Sequence, residues 1–120
     1  MRNLLAAVVG LAVLVACDPT KKEDMSCTAT FEGVSDVCSQ LRITSAEGVV
    51  AEQKCTGDLD GTWTTNPCTS TNRVAGGYCK VEASQYSLSG TDVKVYFYEP
   101  VTLEAAQAAC SSGGGTWIGG

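Results

Sequence analysis

Seven cysteines in a chain of 120 residues constrain its fold more than any other feature. They are Cys17, Cys27, Cys38, Cys55, Cys68, Cys79 and Cys110. The first ends an apolar run, "LLAAVVGLAVLVA" from Leu4, and precedes the polar stretch "DPTKKEDMS". Setting Cys17 aside leaves an even number, which in an exported chain indicates disulfide bonds. Because the sequence has no Cys-x-x-Cys pair and no histidine, it predicts neither a zinc site nor a redox dithiol.

The segment before Cys17 has the pattern of an export signal. Arg2 places a positive charge near the amino terminus, and the run from Leu4 to Ala16 has no charged or polar side chain. Such a run matches the hydrophobic region of a signal peptide and is too short to cross a hydrocarbon core of roughly 30 Å as a helix. Its end, Leu14-Val15-Ala16-Cys17, resembles the lipobox of bacterial lipoproteins. The alternative is an ordinary secreted protein that is cleaved nearby and has Cys17 in a disulfide.

The lipobox resemblance implies a processed and anchored protein. Residues 1–16 would be removed as a signal peptide, a diacylglycerol would be joined to the Cys17 sulfur, and the new amino terminus would be acylated, for example with palmitate. Residues 17–26 are expected to be the lipidated cysteine and a polar tether, since Pro19 disfavours an early helix. Two or three acyl chains hold a protein firmly to a bilayer. The expected location is the bacterial cell envelope, on the inner or outer membrane and outside the cytoplasm.

An internal repeat organises the residues from Cys27 onward. "CTGDLDGTW" from Cys55 and "CSSGGGTW" from Cys110 share a cysteine, a glycine-rich turn and Gly-Thr-Trp. Each follows a helix-like stretch, which itself follows two segments whose apolar residues alternate as in half-buried strands. The matching order and spacing predict two units, at about 27–66 and 78–120, joined by "PCTSTNRVAGG". The predicted fold is one disulfide-stapled α+β domain, residues 27–120, with two degenerate strand-strand-helix-strand units and an antiparallel sheet.

The repeat also selects a disulfide pattern from the 15 that six cysteines allow. In each unit an inward-pointing strand cysteine can meet the cysteine at the end of the helix. Cys38 differs, because it is an odd number of residues from Leu41 and Ile43 on the same strand and so points to the other face of the sheet. The predicted pairs are therefore Cys27–Cys55, Cys79–Cys110 and Cys38–Cys68. Each would close a loop of roughly 30 residues and contribute about 3–4 kcal/mol in the chain-entropy model.

The two helices are expected to begin alike and to dock differently. A hydroxyl residue with a carboxylate two positions later marks their starts at Ser45 and Thr102. The first helix has Gly48 where the second has Leu103, so its docking is expected to be the weaker. The predicted core consists of Phe31, Leu41, Ile43, Val50, Trp63, Val81, Val93, Val95, Phe97, Leu103 and Trp117.

Composition narrows the chemistry that the chain can perform. From Cys27 onward, five Lys or Arg residues stand against ten Asp or Glu residues, which disfavours a nucleic-acid partner. The absence of histidine excludes Ser-His-Asp and Cys-His nucleophile systems. No phosphate-binding glycine motif occurs, and no cofactor is predicted. The carboxylates Glu32, Asp36, Glu47 and Glu82 leave a carboxylate-based glycan hydrolase as a minor hypothesis.

The loop "GDLDGTW" has one functional and one structural interpretation. Asp58 and Asp60 are spaced as alternate calcium ligands and precede a glycine. Thr56 and Pro67, however, occupy the positions at which an EF-hand has its first Asp and its bidentate Glu. An Asp-Gly turn is therefore favoured, and no metal is predicted.

The segment "VKVYFYEP" is the most apolar strand. Tyr96 and Tyr98 share the face opposite Val93, Val95 and Phe97. They could form an exposed aromatic platform that binds a glycan or a peptide, although packing against a neighbouring element is the favoured interpretation.

The predicted function is a non-enzymatic one. The cysteine-rich part is similar to small domains of uncharacterised lipoproteins that end helices in Gly-Gly-Thr-Trp, a likeness that implies no known activity. We expect a module held to the bilayer through Cys17 that presents a surface to an envelope protein or glycan. An inhibitor or protective protein against an envelope hydrolase is the alternative.

Overall fold

The computed structural model describes residues 20–86, 88 and 92–119. The predicted signal peptide, Cys17 and the first part of the tether lie outside these residues. Within them the chain forms one six-stranded sheet with two α-helices, which confirms the predicted α+β class. Neither α-helix of this described part is long and apolar enough to cross a membrane.

The elements follow the predicted order in both units. The strands are β1 (Glu23–Phe31), β2 (Val34–Ile43), β3 (Thr62–Thr64), β4 (Tyr78–Glu82), β5 (Asp92–Tyr96) and β6 (Thr116–Ile118). The helices are α1 (Ser45–Gln53), which a π-helical turn extends over Lys54–Asp58, and α2 (Leu103–Ser112), with a 3-10 helix at Ala83–Tyr86. The strands lie in the order β3-β1-β2-β5-β4-β6, and each neighbouring pair is antiparallel.

One row of residues crosses the whole sheet and relates the two units. Successive partners in the row are Trp63, Cys27, Ser39, Val95, Cys79 and Trp117. From either edge of the sheet to its centre, the row begins with a Trp, continues with a Cys and ends at Ser39 or Val95. Because β2 and β5 pair antiparallel at the centre, the units are related by an approximate twofold axis between these strands.

Three disulfides join described residues, and they are the pairs that the repeat predicts. Cys27–Cys55, Cys38–Cys68 and Cys79–Cys110 have Cα–Cα distances of 5.8, 6.0 and 5.6 Å. The first and third link the sheet to the ends of the helices. The second lies on the opposite face and ties β2 to the connector between the units, as the parity of Cys38 predicts.

The helices dock through small residues, which corrects two of the core predictions. On α1 the buried residues are Gly48 and Ala51, and on α2 they include Ala106 and Ala109. A Cβ at Gly48 would lie 2.8 Å from the Met25 sulfur, so glycine brings α1 close to β1. The larger apolar residues point outward instead: Val50 and Leu103 are 39% and 38% exposed. Short side chains let a helix approach the sheet, and the small residues of α1 are therefore its docking face.

The other predicted core residues lie on the helix side of the sheet. Leu41, Ile43, Val81, Val93, Val95 and Phe97 are buried, and Phe31, Trp63 and Trp117 are partly buried against them. Two buried residues were not predicted. They are Tyr86, which the 3-10 helix inserts between the units, and Met25.

The domain begins earlier than the sequence predicts. β1 starts at Glu23, and Met25 and Ser26 are buried, although all three fall in the segment expected to be tether. Ser26 donates a hydrogen bond of 2.8 Å to the carbonyl oxygen of Asn66. Because β1 includes these residues, the interval between Cys17 and the domain shortens to residues 18–22.

The cap of α1 lies one residue before the predicted one. Thr44 is the N-cap, and its hydroxyl accepts a hydrogen bond from the Glu47 amide at 3.3 Å. The Glu47 carboxylate in turn accepts from the Thr44 amide at 2.9 Å, which completes a capping box. On α2, Thr102 is the N-cap as predicted, and its hydroxyl accepts from the Ala105 amide.

Candidate functional site

The two faces of the sheet have different chemistry. The face with Cys27 and Val95 carries the helices and the main core, whereas the opposite face, which we call the polar face, carries Cys38, Tyr96 and their neighbours. The connector between the units crosses the polar face: Cys68 is bonded there to Cys38, and its amide donates to the Gln40 side chain at 2.9 Å. The connector covers part of the polar face, and the rest is exposed.

A cluster of three tyrosines and one arginine lies beside the connector. The rings of Tyr78 and Tyr96 have centroids 5.6 Å apart, and the guanidinium carbon of Arg73 lies 3.7 Å above the Tyr96 ring. Arg73 also donates to the carbonyl oxygens of Cys68 and Thr69, at 3.1 and 2.8 Å. Its position is thus set by an aromatic face and two backbone acceptors.

The structure assigns different roles to the two predicted platform residues. Tyr96 is only 8% exposed, since Arg73 covers its ring, so it does not form an exposed platform. Tyr98 is half-buried and its hydroxyl donates to the Thr69 carbonyl at 2.8 Å. Burial raises the pKa of Tyr98, while the hydrogen bond and charge of Arg73 oppose that shift. Both side chains support the connector, as the favoured packing interpretation holds.

Tyr78 is the half-buried aromatic that borders an open surface. It lines a depression of about 360 Å³ together with Arg73, Gly76, Gly77 and Tyr96. The ammonium of Lys94 lies 5.4 Å from the centroid of the Tyr78 ring. Among the described residues, the Arg73 Nε has no hydrogen-bond partner although it is buried.

Exposed cations continue the polar face beyond the tyrosines. Lys80 and Lys94 are direct partners on β4 and β5. A second depression, of about 230 Å³, is lined by Lys94, Gln40, Arg42, Asp24 and Asp92. Two loose ion pairs occur here, Arg42–Asp24 at 3.5 Å and Lys80–Asp92 at 3.8 Å. Exposed pairs of this kind contribute little to stability.

A cleft of about 240 Å³ lies on the helix side, where the β1–β2 hairpin meets the end of α2. Its lining includes Phe31, Glu32, Tyr86 and Gly113. Burial raises the pKa of Tyr86, and a hydrogen bond with the Ser39 side chain partly offsets this effect. The Tyr86 hydroxyl is thus engaged inside the protein.

The predicted carboxylates do not converge. Glu47 caps its own helix, Glu32 and Asp36 belong to the β1–β2 hairpin, and Glu82 alternates onto the polar face of β4. These four carboxylates therefore form no pair with one another, although Glu82 and Asp92 are direct cross-strand partners that line a depression of about 440 Å³.

The residues of the calcium-like loop have structural partners. Asp58 forms an ion pair of 2.8 Å with Lys54, and Asp60 has a φ of 53° in the turn before β3. In the part of the chain that the structure describes, no group of three or more His, Cys, Asp or Glu side chains could hold a metal ion.

Comparison with protein-family models, curated proteins and solved structures found no match to this chain. Its function must therefore be inferred from its own residues. The most informative of these residues, Arg73 and Tyr78, were not predicted from the sequence. Alternation along β4 places Tyr78, Lys80 and Glu82 on the polar face, because Cys79 and Val81 point to the core. The position of Arg73 depends on the path of the connector and has no such pattern.

Proposed function

We propose that this chain is a lipid-anchored, non-enzymatic module of the bacterial cell envelope that presents the polar face of its sheet to a partner. The observation that carries the proposal is the set of three disulfides in a small domain that directly follows a lipobox-like segment. Disulfides persist in oxidising compartments, and small exported domains use them to supplement a modest core.

The anchor and the domain are close together in the sequence. Since β1 begins at Glu23, only residues 18–22 separate it from Cys17. Five residues reach at most about 18 Å when fully extended, so a lipid on Cys17 would hold the sheet beside the bilayer. Such a short tether suits a module that acts next to the membrane.

The polar face supports a binding role because it carries exposed cations that the packing of the core does not require. The core on the helix side is covered by α1, α2 and the two Trp side chains of the central row, whereas the polar face carries exposed cations beside its depressions. Inhibition or protection of an envelope hydrolase remains the second hypothesis, and the chemical class of the partner distinguishes the two.

A non-reducing peptide map of the protein extracted from its native membranes tests the proposal. We expect a lipid-modified peptide that begins at Cys17, together with the three cross-linked cysteine pairs, in the mass spectrum. The full-length Cys17→Ala variant is the control and should be lost from the membrane fraction while its three disulfides remain. An unmodified Cys17, or free thiols among the other six cysteines, would contradict the proposal.

A further inference from the structure

We infer that the polar face binds an acidic polysaccharide, with Lys94 and Lys80 contacting its carboxylates and Tyr78 contacting a sugar ring. The inference rests on the proposed function, because it names the partner of the same face.

Positively charged residues are few in the domain and are unevenly distributed. Of the five Lys and Arg residues from Cys27 onward, four lie on the polar face or on the connector that crosses it: Arg42, Arg73, Lys80 and Lys94. The fifth, Lys54, is paired with Asp58 at the end of α1. The helix side meanwhile carries Glu47, Glu52, Asp58 and Glu104 on its helices. An acidic protein thus gathers its cations on one side, which complements an anionic ligand.

The second argument is the direct opposition of two lysines. Lys80 and Lys94 are cross-strand partners on one exposed face, where like charges repel, and the next pair on that face, Glu82 and Asp92, is acidic. Lys80 has Asp92 nearby at 3.8 Å, and the described contact of the Lys94 ammonium is with the Tyr78 ring. Within the described residues Lys94 forms no ion pair, so its charge is available to a ligand. Asp24, Glu82 and Asp92 also border this surface and restrict where an anion can bind.

The third argument is the aromatic depression next to Lys94. Tyr78 combines an apolar ring with a polar hydroxyl, a combination that suits the faces and hydroxyls of a sugar. Arg73 lines the same depression, and its guanidinium lies over the neighbouring Tyr96 ring. The backbone at Gly76 and Gly77, with φ of 100° and 122°, adds no side chain to the opening. A cation and an aromatic ring therefore lie side by side, with the Lys94 ammonium 5.4 Å from the centroid of the Tyr78 ring.

Two other occupants fit the face less well. The most exposed large apolar residues, Val49, Val50 and Leu103, lie on the helices, so the polar face offers no apolar side chain to insert into a bilayer. Protein interfaces have a desolvated apolar or aromatic centre, whereas the centre here is charged and open.

The test is a binding titration of the full-length protein in neutral detergent at low salt. Polygalacturonate, with a carboxylate on every sugar, is the acidic probe, and dextran is the neutral control. We expect binding to polygalacturonate that weakens with salt, and no binding to dextran. Lys94→Gln should weaken binding about tenfold, the effect of losing one charge-assisted hydrogen bond. The matched variant Lys54→Gln, on the other side of the molecule, should bind like the wild type.

Several results would overturn the inference. Equal weakening by Lys94→Gln and Lys54→Gln would show that only net charge matters, and absence of polygalacturonate binding would remove the ligand class. A photo-crosslinker placed at position 94 in native envelopes should give a polysaccharide adduct, and a protein or phospholipid adduct would contradict us. These outcomes leave the peptide map of Cys17 unaffected, so the failure of this inference is distinguishable from the failure of the proposed function.

Discussion

The two units share a row of side chains but use equivalent positions on the polar face differently. On the helix side, Cys27 and Cys79 each pair with a tryptophan strand and each form a disulfide with a helix end. On the polar face, the approximate twofold relates Cys38 to Lys94, one residue before Ser39 and Val95 respectively. Cys38 holds the connector, and Lys94 is exposed. The repeat therefore specifies the core, whereas the candidate site lies where equivalent positions of the two units carry different residues.

The largest expected effect comes from removing disulfides one at a time. The pairs C27A/C55A and C79A/C110A remove bridges whose cysteines are at most 1% exposed, whereas C38A/C68A removes a bridge in the smaller cluster on the polar face, whose cysteines are 5% and 8% exposed. The loops have nearly equal separations, 28, 31 and 30 residues, so chain entropy predicts a similar loss of about 3–4 kcal/mol for each. The two core bridges should cost more, because truncating them also leaves cavities. Urea unfolding under non-reducing conditions measures this, and a larger loss for C38A/C68A would contradict the comparison.

The next effect concerns the glycine of each Gly-Thr-Trp segment. A Cβ at Gly61 would lie 2.8 Å from the Thr28 carbonyl oxygen, and one at Gly115 would overlap the Cys79 sulfur. Both glycines therefore let a turn pass directly over the disulfide of its unit. Gly61→Ala and Gly115→Ala should each lower the free energy of unfolding by about 1–3 kcal/mol through overpacking.

Gly57→Ala is the matched control for these two variants. Gly57 lies in the π-helical turn, and a Cβ there would meet no atom within 4 Å. Its thermal midpoint should stay near or slightly above that of the wild type. If the control loses as much stability as the other two, close approach to the disulfides is not the reason for the repeated glycine.

These residues also show why the fold could be predicted and the site could not. The strands, the sheet and the bridges follow from alternation and from a pattern that occurs twice, so each unit checks the other. Gly48 was expected to weaken the docking of α1, because the sequence does not show that Met25 lies against this position and leaves no space for a larger side chain. Arg73 belongs to an irregular connector, and no periodicity indicates that it lies on the Tyr96 ring. Long-range placement of a loop on a sheet depends on the folded backbone as a whole.

Tyr86 tests the part of the second unit that has no counterpart in the first. Its side chain fills the space between the units, and Tyr86→Phe would remove the hydrogen bond with Ser39 at a cost of about 1 kcal/mol. Since burial raises its pKa above the ordinary 10.0, the folded state holds the proton more tightly than the unfolded state. The resulting stability is full below pH about 10 and is lost as the pH rises through the higher folded pKa. Tyr86→Phe should flatten the alkaline loss of stability, and an unchanged pH profile would show that another group, such as Tyr98, causes it.

The smallest expected effect compares the acidic residues at the two helix starts. Glu47 accepts a hydrogen bond from the Thr44 amide, so Glu47→Ala breaks a capping box and should cost about 0.5–1 kcal/mol. Glu104 is in the first turn of α2 and acts only through the helix dipole, so Glu104→Ala should cost about 0.3 kcal/mol and less in high salt. Chemical denaturation at two salt concentrations separates these contributions, because screening weakens the dipole interaction more than the hydrogen bond. Equal costs with equal salt dependence would mean that the box of α1 adds nothing and that the two helices begin alike after all.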